Sequence, residues 1–149
     1  MNNPDTYVLG DVALAAINAA TTATVVTTAS DTGGNTVAYI GDLDGMVSAG
    51  LGINFNYGSG GTSIKVIIET SDNDGTTWTE VWRMALTTAA KEQKVNLSAN
   101  TAVTTPYTPV ALADDATKDG ILGPRWRARI LTVGTYAGNT SLAIRITAR

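Results

Sequence analysis

"SIKVIIETSDNDGTTWTEVWRMAL" (residues 63–86) holds two runs suited to extended backbone, separated by four turn-forming residues. Residues 63–71 and 77–86 are rich in β-branched and aromatic side chains, which fit a pleated surface, and "DNDG" (72–75) breaks the pattern between them. The stretch therefore reads as a β-hairpin with Gly75 at a positive-φ position of the turn. Trp78 and Trp82 are an even number of residues apart, so both are expected on one face, as core or as a lid over the hairpin.

The same punctuation recurs along the chain. "TATVVTT" (22–28), "TVAYIG" (36–41), "GMVSAGLGINFNY" (45–57), "QKVNLS" (93–98), "YTPVAL" (107–112), "RWRARILTV" (125–133) and "TSLAIRITA" (140–148) are short apolar or threonine-rich runs between Gly, Asp and Asn clusters. With no helical periodicity between them, the expected fold is all-β: an antiparallel, jelly-roll-like β-sandwich of about eight or nine short strands. The 24 threonines and 15 glycines among 149 residues agree with that class. Residues 22–149 read as one domain. Residues 1–21, where Asp11 precedes "VALAAINAA", read either as an extended arm or as a short helix capped by Asp11.

The last two runs predict a second hairpin. Trp126, Ala128 and Ile130 alternate with Arg125, Arg127 and Arg129, and Leu142, Ile144 and Ile146 alternate with Ser141, Ala143, Arg145 and Thr147. Closure through "GTYAGN" (134–139) would set the three arginines of one strand beside Arg145 of the other. A row of like charges is unfavourable unless acids lie opposite. Two readings follow: Glu69, Glu80 or other acids on neighbouring strands complete a mixed-charge face, or Arg125, Arg127, Arg129 and Arg145 meet an acidic partner.

Composition removes several chemistries. Cys and His are absent, so disulfides, thiolate metal sites and Cys/His or Ser/His catalytic arrangements are excluded. Net charge is −3, yet residues 124–149 hold five of the ten basic side chains and no acid. Nucleic acid is not the expected partner, because the pI is about 4.7 and the arginines are not interleaved with exposed aromatics. No apolar run approaches the roughly 20 residues of a membrane span, and no signal peptide is expected from "MNNPDTYVLG", so neither membrane nor export is predicted.

Asp72, Asp74 and Gly75 have part of a calcium-loop spacing, but Val81 stands where the EF-hand pattern needs its acid six residues beyond the glycine. "GDLDGM" (41–46) repeats the theme without further ligands. Asp72 with Asp74, and Asp114 with Asp115, are neighbours in single turns and do not straddle a substrate as a glycosidase pair does. No catalytic residue, metal or cofactor is predicted. A carbohydrate-binding module remains an alternative on the strength of three tryptophans and five tyrosines.

Two resemblances add to this. Ser71-Asp72-Asn73-Asp74-Gly75-Thr76-Thr77-Trp78 resembles the Asp-box hairpin of sialidases and many extracellular β proteins, with Asn73 in place of an aspartate. That likeness implies a structural turn and no active residue. More widely, "DGMVSAGLGINFNYGSGGTSIKVIIETSDNDGTTWTEVWRMALTT" (44–88), "VNLSANTAVTTPYTP" (95–109), "DGILGPRWRARI" (119–130), "GTYAGNTSLAIRI" (134–146) and "TAR" (147–149) are similar to small virion proteins of tailed bacteriophages and gene-transfer particles. This resemblance implies a non-enzymatic structural protein of the virion, made in the host cytoplasm. Its expected form is a head decoration protein, trimeric, whose partners are the major capsid protein or other virion subunits. A tail or head-fibre component is the alternative within that class.

Overall fold

The computed structural model describes residues 5–17, 22–41 and 43–149. Among these the chain forms β1 (Asp5–Ala13), a 3-10 turn (Leu14–Ala16), β2 (Thr22–Val26), β3 (Ala29–Ser30), β4 (Thr36–Val37), β5 (Ser48–Asn56) and β6 (Ser59–Gly60). It continues with β7 (Ser63–Ser71), β8 (Thr79–Leu86), β9 (Lys91–Ser98), β10 (Arg125–Val133), β11 (Tyr136–Ala137) and β12 (Ser141–Ala148). Eight of these strands have five residues or more, within the eight or nine expected, although β1 is not one of the expected runs and the expected run at 36–41 forms only the two-residue β4.

A six-stranded sheet has the order β4-β3-β1-β12-β5-β9, and a four-stranded sheet has the order β2-β10-β7-β8. Numbered in chain order, the eight long strands pair first with eighth, second with seventh, third with sixth and fourth with fifth, all antiparallel. That is one long hairpin ribbon, and wrapping it so that β12 meets β5 and β10 meets β7 gives the jelly roll. The β7–β8 hairpin is the tip of the ribbon, where the two arms meet through a tight turn.

Between the sheets lie Leu9, Leu51, Ile53, Phe55, Ile144 and Ile146 from one side and Val66, Ile68, Trp82, Met84, Trp126 and Ile130 from the other, all buried. Thr27, itself buried, ties the sheets together: its hydroxyl lies 2.7 Å from the Leu9 carbonyl and 3.0 Å from that of Ala128. Gly10 is needed beside it, since a Cβ there would stand 2.7 Å from the Thr27 Cβ.

Several expectations are corrected. Residues 125–133 and 141–148 do not form a hairpin: β10 pairs with β7 and β2, and β12 pairs with β1 and β5. Successive strands on one arm of the ribbon go to opposite sheets, so "GTYAGN" spans the sandwich, and its Tyr136–Ala137 pairs with Ser59–Gly60. The supposed arm or helix contains β1, fully inside the six-stranded sheet, and Asp11 belongs to that strand rather than to a helix cap. Residues 1–4 and 18–21 of that expectation, and Asp42 of "GDLDGM", lie outside the described residues. "YTPVAL" (107–112) is not a strand, since Pro106 and Pro109 withhold ladder donors, and it forms part of a long connection between β9 and β10.

Candidate interaction surface

At the hairpin tip the backbone is left-handed at both central turn residues, Asp74 (φ 59°) and Gly75 (φ 80°), as primed turns require. Ser71 Oγ accepts the Gly75 N–H at 3.0 Å, and Asn73 Oδ1 accepts the Thr77 N–H at 2.8 Å. Asn73 Nδ2 donates to Thr77 Oγ1 at 2.8 Å, so Asn73 does the bracing expected of the box aspartate. Asp72 is exposed. Asp74 turns outward and accepts Arg125 Nε at 3.0 Å. The Asp-box-like residues Ser71, Asn73, Asp74 and Gly75 thus build the turn, as a structural hairpin should.

Trp78 and Trp82 do not share a face. The register shifts between Ile68 and Glu69, which face Trp82 and Glu80, so Val81 is the extra residue of a β-bulge. The bulge reverses the alternation: Trp82 enters the core at 2% exposure, while Trp78 lies outside, edge-on to Tyr39 at 5.6 Å and 4.2 Å beneath the Arg127 guanidinium.

The bulge also sets Glu69 directly opposite Glu80 on the outer face of the four-stranded sheet. Two carboxylates side by side repel, and three arginines surround them. Arg127 Nε donates to Glu69 Oε2 at 2.6 Å, and Arg129 Nη2 donates to Glu69 Oε1 at 3.0 Å and to Glu80 Oε1 at 3.2 Å. Arg83 Nη2 donates to Glu80 Oε1 at 2.8 Å, and Glu80 Oε2 also accepts the Leu112 N–H at 2.9 Å. The Glu69 and Glu80 side chains are only 5% and 8% exposed, because the connection between β9 and β10 lies over them. Pro109, Val110 and Ala111 of that connection, with Trp78 and Arg129, line a cleft of about 210 Å³ above the carboxylates. Further along, the connection closes the outer edge of β8, with Arg83 N–H to Ala116 O at 3.0 Å and Lys118 N–H to Val81 O at 2.8 Å.

The four-arginine row is therefore not one face. Arg125, Arg127 and Arg129 stand on the four-stranded sheet and pair with Asp74, Glu69 and Glu80. Arg145 stands on the six-stranded sheet, where its Nη1 and Nη2 reach Asp11 at 2.7 and 3.1 Å.

The outer face of the six-stranded sheet is open by comparison. Gly50 and Gly52 of β5 floor a groove of about 240 Å³ between Arg145 and Thr147 on one side and Lys94 and Asn96 on the other. At one end of β9 the Asp119 carboxylate accepts the Ser98 N–H at 2.6 Å, the Thr101 hydroxyl at 2.7 Å and the Gly120 N–H at 2.9 Å, which holds its pKa below the usual aspartate range. Nothing in the residue spacing singles out Asp119 or the two glycines. Among the described residues no cluster of three or more acidic side chains is placed to hold a metal ion.

Comparison with known protein families, curated proteins and solved structures returns no match.

Proposed function

We propose that this chain is a non-enzymatic structural protein of a virion, most specifically a capsid decoration or stabilising protein that docks on the head lattice. The observation that carries this reading is the strand order: eight long strands pair as a wrapped ribbon, an architecture used by viral capsid and lectin domains. Fold alone names no function. The resemblance to phage virion proteins over much of residues 45–149 is the ground for preferring the capsid use, and the tryptophans argue the same way. Trp82 and Trp126 are 2% exposed, and Trp78 lies beneath Arg127 against Tyr39, so none of the three offers a bare ring for stacking on a sugar. Three of the four acidic side chains that sequence reading weighs as catalytic serve the fold, since Asp74 holds Arg125, Asp114 holds Lys65 at 2.9 Å and Asp115 accepts the Ala85 N–H at 3.1 Å.

On this reading the partner is the major capsid protein or another virion subunit, and affinity comes from many copies making weak contacts on a lattice. The test is immunogold labelling of particles from a lysate that expresses the chain, together with co-sedimentation of purified protein with empty expanded heads. Label on the shell and saturable co-sedimentation are expected. Label on the tail would move the assignment to a tail or head-fibre component, and particles without label would refute the virion reading.

A further inference from the structure

We propose that β9 is a docking edge for a second copy of this chain, which adds its own β9 antiparallel about a two-fold axis through Gln93. β9 ends the six-stranded sheet and is bonded to β5 on one side only. The Ala99 N–H points back to Val47 O at 2.8 Å, while the Ser98 N–H points the other way, to Asp119. Alternation along the strand then turns the backbone groups of Glu92, Lys94 and Asn96 outward. Among the described residues none of these three bonds through its backbone to a connecting segment on that side. The edge of β8, by contrast, is closed by residues 116 and 118.

Charge selects the occupant and its register. A symmetric pair must set outward-turned residues opposite one another, and the registers centred on position 92 or on position 94 place Glu92 against Glu92 or Lys94 against Lys94. Centred on Gln93, Glu92 faces the partner's Lys94 and Lys94 faces the partner's Glu92. The two side chains are 55% and 76% exposed and already 3.1 Å apart within the strand, so pairing completes a square of alternating charge. On the other face the Lys91 stem crosses the partner's Val95. Charged side chains on an edge usually keep other strands away; here they count against the two adjacent registers and favour the one centred on Gln93. The inference is independent of the virion reading, because purified chain alone suffices to test it.

The chain has no cysteine, so Gln93→Cys places one thiol per chain at the axis. Side chains of such a non-hydrogen-bonded pair have Cβ atoms roughly 4.5 Å apart, within reach of a disulfide. Under mild oxidation Gln93→Cys is expected to form covalent dimer about tenfold faster than Asn54→Cys, which sits on the same sheet away from the edge. Adding Lys94→Glu should slow the cross-link about tenfold, and the exchange Glu92→Lys with Lys94→Glu should restore it. Sedimentation of the cysteine-free charge variants over a concentration series checks the same order without a thiol. Equal cross-linking at positions 54 and 93, or association that ignores the Lys94 charge, overturns the proposal.

Discussion

The two outer faces of the sandwich answer one problem in opposite ways. On the four-stranded sheet, Glu69 and Glu80 are buried with Arg83, Arg127 and Arg129, and a long connection roofs them. On the six-stranded sheet, Arg145 and Asp11 meet in the open, at 37% and 60% side-chain exposure, beside a groove floored by two glycines. The first face spends its charge on holding its own chain together. The second leaves charge and backbone available. An arginine-rich sequence segment is thus a poor guide to an interface until its acids are located.

The largest expected effect breaks the closed face. Glu69→Ala leaves Arg127 without its carboxylate and Arg129 with Glu80 alone, and should cost about 3 kcal/mol in denaturant unfolding. Glu92→Ala on the open sheet, tested alongside, should stay within about 0.5 kcal/mol of wild type. Next, Gly123→Ala drives a Cβ into the Ser71 carbonyl at the base of the hairpin, with an expected loss of about 2 kcal/mol in the same measurement.

Asp119→Asn is expected to cost about 1 kcal/mol at neutral pH and to flatten the acid limb of stability. The folded chain binds the Asp119 proton less readily than the unfolded chain. Its stabilisation is therefore full above the ordinary aspartate range and is lost as pH falls through that range and below. Thermal midpoints between about pH 6 and pH 2 read this directly.

Gly52→Ala should act with the opposite sign, stabilising by about 0.5–1 kcal/mol, because its Cβ would meet only Lys94 Cγ at 3.8 Å. Smallest is Arg145→Ala, with about 0.5 kcal/mol lost in low salt and less in high salt, measured by thermal unfolding.

The tip of the ribbon was legible because turn chemistry is local: "DNDG" between two β runs specifies a hairpin whatever surrounds it. The alternations of 125–133 and 141–148 correctly assigned Trp126, Ala128, Ile144 and Ile146 to the core. Alternation assigns faces but not partners, however, and the choice between hairpin and sheet crossing rests on contacts distant in sequence. β1 was hidden because "LAAINAA" (14–20) follows it with helix-favouring alanines, and Gly10 and Asp11 interrupt its apolar pattern. The bulge at Val81 has no local signature, so Trp78 and Trp82 were placed on one face. The prolines at 106 and 109 were a visible warning against a strand at 107–112.

A double-mutant cycle of Glu69→Gln with Arg127→Gln, followed by denaturant unfolding, tests most directly whether the arginines serve the fold. A coupling energy of about 2 kcal/mol is predicted, with each single variant less stable than wild type. Coupling within about 0.3 kcal/mol of zero, with Arg127→Gln as stable as wild type, would contradict the account.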